Sequence, residues 1–375
     1  MSMFVRYFDI TRQNKLIKQD FLNRVSDILD SGEISMGKLC REFEEKYAEI
    51  NKVKFCLLLS SGTDALTLTV DALDINGPVL TPAISFVATP NSILLNRKQV
   101  IFCETDCDAN IDITHALSKV SCQNVINPIK AILAVGMYGN PPDIINLKKI
   151  SDSYGIPLIY DGAQTHLSTV QDKYLSSYCD VAIESYYITK NIGAFTEAGA
   201  ILTNNKDIYE RIKKLRNHGR GASNYEFDEI GYNCRPSEIT AASLLCKLQY
   251  IHEWTRKRID IAAQYNKLLS PLIESGKIRT LRPHDNTKCI YHLFPIFVDA
   301  KNRDDIRSKL LNVGVETQMQ YNKALHRQKA YSDLNQGPFE IAENVCDSVI
   351  TIPLYPEMLD EEISYVAEKL IEILK

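Results

Sequence analysis

Three short stretches, in fixed order along the 375 residues, carry side chains able to do carbonyl and carbanion chemistry. The first is Ser60-Ser61-Gly62-Thr63-Asp64-Ala65-Leu66, which lies between an apolar run and a helix-like one. Such a turn offers backbone N–H groups and the positive end of a helix to an anion, and a glycine lets the anion come close. The same residues also suit an ordinary helix cap. Neither a Walker lysine nor the glycine pattern of a dinucleotide site accompanies them. The second stretch, 156–164, is an apolar strand that delivers Asp161 to its carboxyl end, where open α/β sheets bind ligands. A carboxylate there can keep a pyridine nitrogen protonated and so make the ring an electron sink; it can equally be a turn or capping residue. The third, 181–193, is a strand followed at once by polar residues and by Lys190. A lysine amine forms a Schiff base with an aldehyde and, once displaced, can carry a proton between carbon centres. Most loop lysines are merely solvated.

The elements needed to hold these residues are legible around them. Between about 53 and 205, the apolar runs Phe55–Leu59, 78–81, Val100–Cys103, Ala131–Val135, 157–160, Val181–Ser185 and Gly199–Thr203 alternate with helix-like stretches. That pattern predicts a mostly parallel, seven-stranded sheet with helices on both faces. Upstream, 19–29 is amphipathic and closes on Ser31-Gly32, the signature of a helix end, and is expected to pack as an N-terminal arm. Downstream, 236–269 reads as one or two long helices starting at Pro236 and Ser237, with Ile239, Ala242, Leu245, Leu248 and Ile251 at helical spacing. From about 278 the texture becomes α+β: a strand-like 291–298, a helix at Arg303–Asn312 and a C-terminal helix at Asp360–Leu374. The expected architecture is α/β, with a large domain over 1–245, including the arm, and a smaller α+β domain over 246–375. No Pro/Gly-rich linker separates them, so an extensive shared interface is expected.

Composition narrows the partners. The content of 45% hydrophobic and 24% charged residues is that of a soluble globular chain with little room for long disorder. A net charge of −4 and the lack of a long basic run argue against nucleic acid and anionic membrane. No apolar stretch approaches the roughly 18 residues of a spanning helix, and the first ten residues have no apolar signal core; a cytoplasmic location is expected. The ten cysteines are scattered, with no Cys-x-x-Cys pair, and read as reduced thiols rather than metal ligands. Trp254 reads as packing in a long helix.

An anion cup, then a strand-end acid, then a lysine just after the next strand is the order found in pyridoxal phosphate (PLP) enzymes of the aspartate-aminotransferase fold type I. From near Phe8 to the C-terminus the chain resembles the DegT/StrS family of sugar aminotransferases. The resemblance rests on Phe8-Asp9-Ile10, on 60–66 and 81–89, on Tyr138-Gly139-Asn140-Pro141, and on 161–166 and 189–194. It continues through Leu215-Arg216-Asn217-His218-Gly219, Gly231-Tyr232-Asn233-Cys234-Arg235, Leu325-His326 and Ile352-Pro353-Leu354-Tyr355-Pro356.

Carried over by position, the resemblance implies that Lys190 is the catalytic lysine that bonds PLP. It further implies that Asp161 holds the pyridine nitrogen, Gln164 bonds the ring hydroxyl, and Gly62, Thr63 and Ser185 hold the phosphate. Phe86 matches the aromatic position stacked on the ring, and Asn233 a residue that reaches the neighbouring subunit's cofactor, which implies a homodimer with shared active sites. Plain core packing and a helix entry remain alternatives for Phe86 and Asn233. His166 is left without a role. The chain departs from the family pattern at Gly136, where His is frequent, at Gln320 before Tyr321, where His-Tyr is common, at Leu167, where Gly is usual, and at Ala324, which replaces a frequent Pro.

The activity so implied is transfer of an amino group from L-glutamate, through the pyridoxamine form of the cofactor, to a 3-keto or 4-keto deoxy sugar on a nucleotide diphosphate. dTDP is the first expectation, and the products would serve lipopolysaccharide O-antigen, other surface glycans or antibiotic sugars. Two alternatives stand beside it: an aminotransferase for a cyclitol or free keto sugar, and a non-catalytic PLP-binding regulatory protein. A lysine rather than a histidine at 190 argues against the related sugar dehydratases.

Overall fold

Alternation along the strands decides the two faces of the central sheet, because successive side chains in a strand point opposite ways. Leu57, Leu59, Ile159, Ile183 and Ile201 pack in one apolar cluster, and Cys56, Leu58, Leu158, Tyr160, Ala182 and Leu202 in another. Both faces are therefore covered. The computed structural model describes residues 3–122, 127–223 and 225–375. Seven strands, β1 (Phe55–Leu59), β2 (Val79–Pro82), β3 (Val100–Cys103), β4 (Ala131–Val135), β5 (Leu158–Asp161), β6 (Val181–Ser185) and β7 (Gly199–Thr203), make one sheet in the order β1-β7-β6-β5-β4-β2-β3. Strands β3, β2, β4, β5 and β6 run parallel, and β7 is antiparallel to both β6 and β1. The carboxyl ends of β1 and of the five parallel strands thus share one edge. Two strands sit one residue later than the expected 78–81 and 157–160, which makes Asp161 the last residue of β5.

Helix α1 (Ile10–Ser31) starts well before the expected 19–29, because Asp9 caps it by accepting from the Thr11 N–H at 2.9 Å. It ends as anticipated, with Gly32 left-handed at φ 68°. Helix α2 (Gly62–Ala72) follows β1 directly. The run 236–269 resolves into two helices, α3 (Glu238–Leu248) and α4 (Ile251–Leu268), and α1 lies against α3.

Toward the C-terminus, the strand-like 291–298 shortens to Phe294–Phe297, which pairs antiparallel with Val349–Ile352. A third apolar cluster surrounds this pair; it includes Ile306 and Leu310, Val366 and Leu370 of helix α5 (Asp360–Leu374), and Val5 from the N-terminus. The Val5 N–H donates to Gly314 O at 2.7 Å. Leu281, Phe297, Ala324 and Val349 join the sheet's own cluster, so the C-terminal region and the sheet share buried apolar surface. Among the described residues no helix is long and apolar enough to cross a membrane. All ten cysteines are unpaired.

Candidate active site

At the sheet's carboxyl edge, facing the C-terminal region, lies a cavity of about 830 Å³. Gly62, Thr63, Phe86, Asp161, Gln164, Ser185 and Lys190 all line it. Asn233 does not: it is exposed, bridges to Asn217, and accepts from Arg235 Nε at 3.0 Å. A more open groove of about 800 Å³ between 169–172 and 283–291 holds none of the eight.

The turn into α2 is built around two serines and an acid. Ser61 caps the helix by accepting from the Asp64 N–H at 3.0 Å, and the hydroxyls of Ser60 and Ser61 donate to Asp64 Oδ2 at 2.6 and 2.8 Å. The first N–H groups of the helix have no intrahelical partner, and Gly62 and Thr63 line the cavity. Gly62 is required there, since a Cβ would come within 2.8 Å of Ser185 Cβ. A Cβ at Gly199 would meet the Gly62 nitrogen at 2.4 Å. Helix α2 therefore seats its positive end directly against β6 and β7, beside the Ser185 hydroxyl.

Asp161 is buried at the end of β5. Its Oδ2 accepts from Thr89 Oγ1 at 3.0 Å, whose oxygen lies 2.7 Å from Ser85 Oγ, and its Oδ1 accepts from the Ala163 N–H at 3.1 Å. Burial pushes its pKa up, while the Ala163 N–H and the Lys190 amine pull it back. Among the described residues no cation lies in salt-bridge contact with it. Lys190 is half-buried, and its pKa is lowered to about 8 by burial, with Asp161 and Glu184 opposing.

Gln164 Oε1 accepts from the Tyr138 N–H at 2.8 Å, which turns the amide nitrogen away from that backbone and leaves it as a donor. Phe86 is 55% exposed on the cavity wall, its ring centre 6.2 Å from that of Tyr321. His166 is fully buried and lies outside the lining, with Nε2 3.0 Å from Glu184 Oε2. Burial drives the His166 pKa down to about 3 and pushes that of Glu184 well up.

Two departures from the family pattern acquire physical reasons. At Gly136 a Cβ would lie 2.2 Å from the Tyr160 hydroxyl, which is hydrogen-bonded to Thr165 Oγ1 at 2.6 Å; no side chain fits. Leu167 has φ 62°, a conformation that favours glycine, and its side chain is buried.

Sequence reasoning gave no role to Ser85 and Thr89, which hold Asp161, although both fall within the motif at 81–89. It also missed Tyr7, Arg258, His292 and Gln318 as lining residues. Nothing in their local pattern announces them; they reach the cavity through tertiary packing.

A model of the DegT/DnrJ/EryC1/StrS aminotransferase family matches residues 15–371. The chain belongs to this family. It is 31% identical over 368 residues to a protein named dTDP-3-amino-3,6-dideoxy-alpha-D-galactopyranose transaminase from Aneurinibacillus thermoaerophilus, covering 97% of this chain and 98% of that one. Its fold matches S. venezuelae DesV with a TM-score of 0.93 at 25% identity, over 99% of both chains. It also matches NtdA from Bacillus subtilis, solved with bound cofactor PMP, with a TM-score of 0.90 at 27% identity, over 99% of this chain and 85% of that one. As a member of the DegT/DnrJ/EryC1/StrS family, the protein is a PLP-dependent sugar aminotransferase. Its cavity fits that cofactor: a helix N-terminus beside a serine hydroxyl for a phosphate, an unpaired buried carboxylate for a cationic ring nitrogen, and an amine of lowered pKa for an aldehyde.

Proposed function

We propose that this aminotransferase moves an amino group from L-glutamate to the 3-keto or 4-keto position of a deoxy sugar carried on a nucleotide diphosphate, dTDP in the first instance. The observation that carries the reading is the placement of Lys190 and Asp161 on one cavity, each mutually felt in the other's titration. The dTDP and 3-amino assignments take their support from the name of the 31% identical relative.

Bound PLP supplies an aldehyde to the amine and a ring that takes up the electron pair left when a carbon loses its proton. Asp161 would keep a proton on the ring nitrogen, and its carboxylate is held by Thr89 and the Ala163 N–H. Gln164 would donate to the ring hydroxyl, Phe86 would pack on the ring, and Gly62, Thr63 and Ser185 would hold the phosphate at the start of α2. With the cofactor bound, the Lys190 amine would be the group placed to bond its aldehyde and to move a proton, and a pKa of about 8 suits a base working near neutral pH.

Asn233 stands outside its own chain's cavity, in a segment whose Tyr225, Phe227 and Ile230 side chains are exposed. That placement favours a homodimer in which Asn233 completes the partner's cofactor site. A division of the chain into two parts goes with this reading, but nearer Ile261 than the expected 245/246, which falls inside α3: Leu248 and Ile251 still join the cluster beneath the sheet, whereas the third cluster draws on residues from Ile261 onward, with Val5 reaching in from the start of the chain.

Mass spectrometry of products from glutamate with dTDP-, UDP- and GDP-linked keto sugars, and with a free keto cyclitol, tests the assignment. An aminated dTDP-sugar from the wild type and none from Lys190→Ala is the expected result. Amination confined to the free cyclitol would overturn the nucleotide-linked substrate.

A further inference from the structure

Lys190 sits on a turn whose own backbone bonds are few: its N–H donates to Tyr187 O, and that of Ala194 to Tyr186 O, both at 2.8 Å. Beyond Gly193 the chain runs under helix α3, and three side chains of that helix take hold of it. Lys247 Nζ donates to Gly193 O at 2.5 Å, Ser243 Oγ accepts from the Phe195 N–H at 3.3 Å, and the hydroxyls of Thr240 and Thr196 lie 2.6 Å apart. Thr240, Ser243 and Lys247 follow one another at steps of three and four residues, which places them on one stripe of the helix.

Lys247 is the unusual rung, with 0% of its surface exposed. Lysine is almost never fully buried, and a residue serving only to pack here would be apolar. Its ammonium lies 4.9 Å from the centre of the Phe195 ring, which Phe21 of α1 meets edge-on at 4.7 Å. The turn is tightly folded on itself: a Cβ on Gly193 would lie 2.3 Å from Ile188 O. Burial lowers Lys247 to about 8, with Glu357 opposing. Burial lowers Lys190, with Asp161 and Glu184 opposing; the contact by which Lys247 reaches this turn is its bond to the Gly193 carbonyl.

We propose that Lys247 is a positioning residue: together with Thr240 and Ser243 it clamps residues 193–196 and so sets the point from which the Lys190 amine enters the cavity. The inference rests on the reading of Lys190 given above. What matters at 247 is then a buried donor to the Gly193 carbonyl, and neither charge nor bulk replaces it.

The test uses full-length protein stripped of PLP and compares Lys247→Met, which keeps the bulk and loses the donor, with Lys247→Gln, which is neutral and keeps a donor. PLP dissociation constants and the visible circular dichroism of the reloaded enzyme are the readouts, with melting of the stripped protein as the folding control. Lys247→Met leaves the buried Gly193 carbonyl without this donor and should weaken PLP binding roughly tenfold and alter the dichroic band. Lys247→Gln should come back to within about threefold of wild type. The proposal fails if the Met variant matches wild type, or if the Gln variant is as weak as the Met variant. Should Lys247→Met not fold, the double variant Thr240→Val/Ser243→Ala decides, and unchanged affinity and spectrum there overturn the clamp. A wild-type chain that takes up no PLP would instead refute the reading of Lys190.

Discussion

Asp161 combines burial, a hydroxyl from Thr89 and one backbone N–H, and it lacks a contacting cation among the described residues. Replacing it with Asn preserves shape and removes the charge that holds the ring nitrogen's proton. Asp161→Asn is expected to load PLP, as read by absorbance, yet to lose roughly 100-fold or more in kcat. Lys190 offers a prediction of opposite kind, on stability. Its folded pKa of about 8 lies below the ordinary 10.5, so between those values the unfolded chain holds the extra proton and this group makes stability rise with pH. Lys190→Met should therefore stabilise the PLP-free protein most below pH 8, and the advantage over wild type should shrink toward pH 10.5; urea unfolding at several pH values measures it. Both residues were legible in the sequence because they fall in order at the end of one apolar strand and in the polar stretch after another. Ser85 and Thr89 were not, since the support they give Asp161 crosses between β-strand loops some seventy residues apart.

Among the elements, the turn after β5 shows how a local rule can lose to packing. Leu167 is left-handed at φ 62°, which costs a non-glycine residue about 1–2 kcal/mol, but its side chain is buried in the cluster beneath the sheet. Losing a buried leucine costs about 2–5 kcal/mol, so Leu167→Gly should be destabilising on balance, by roughly 1–4 kcal/mol in chemical denaturation, despite the relieved backbone. A net gain in stability would show that the side chain contributes little. The strands were readable to within one residue because buried parallel strands are continuous apolar runs. The start of α1 was not, because Asp9 lies outside the amphipathic stretch and its capping role depends on one side-chain bond to Thr11. Gly136 likewise makes sense only once the Tyr160 hydroxyl is seen in the space a side chain would need.

For the whole molecule, the position of Asn233 outside its own cavity can be turned into a complementation experiment. In a dimer with shared sites, Lys190→Ala chains mixed with Asn233→Ala chains contain one site that has both native residues. Refolding the two inactive variants together at equal amounts should restore about one quarter of wild-type turnover. No recovery would mean that each chain completes its own site. The crossing of the N-terminus to the third apolar cluster was not legible in the sequence, because Val5 carries no signal of where it will pack. The cavity itself is walled by Tyr7 and Phe8, by loops between 61 and 197, and by residues from Arg258 to Leu354. A ligand filling it touches segments from nearly the full length of the chain, so coenzyme uptake should lift the unfolding temperature of the entire polypeptide in a single cooperative step, and its departure should loosen both ends at once.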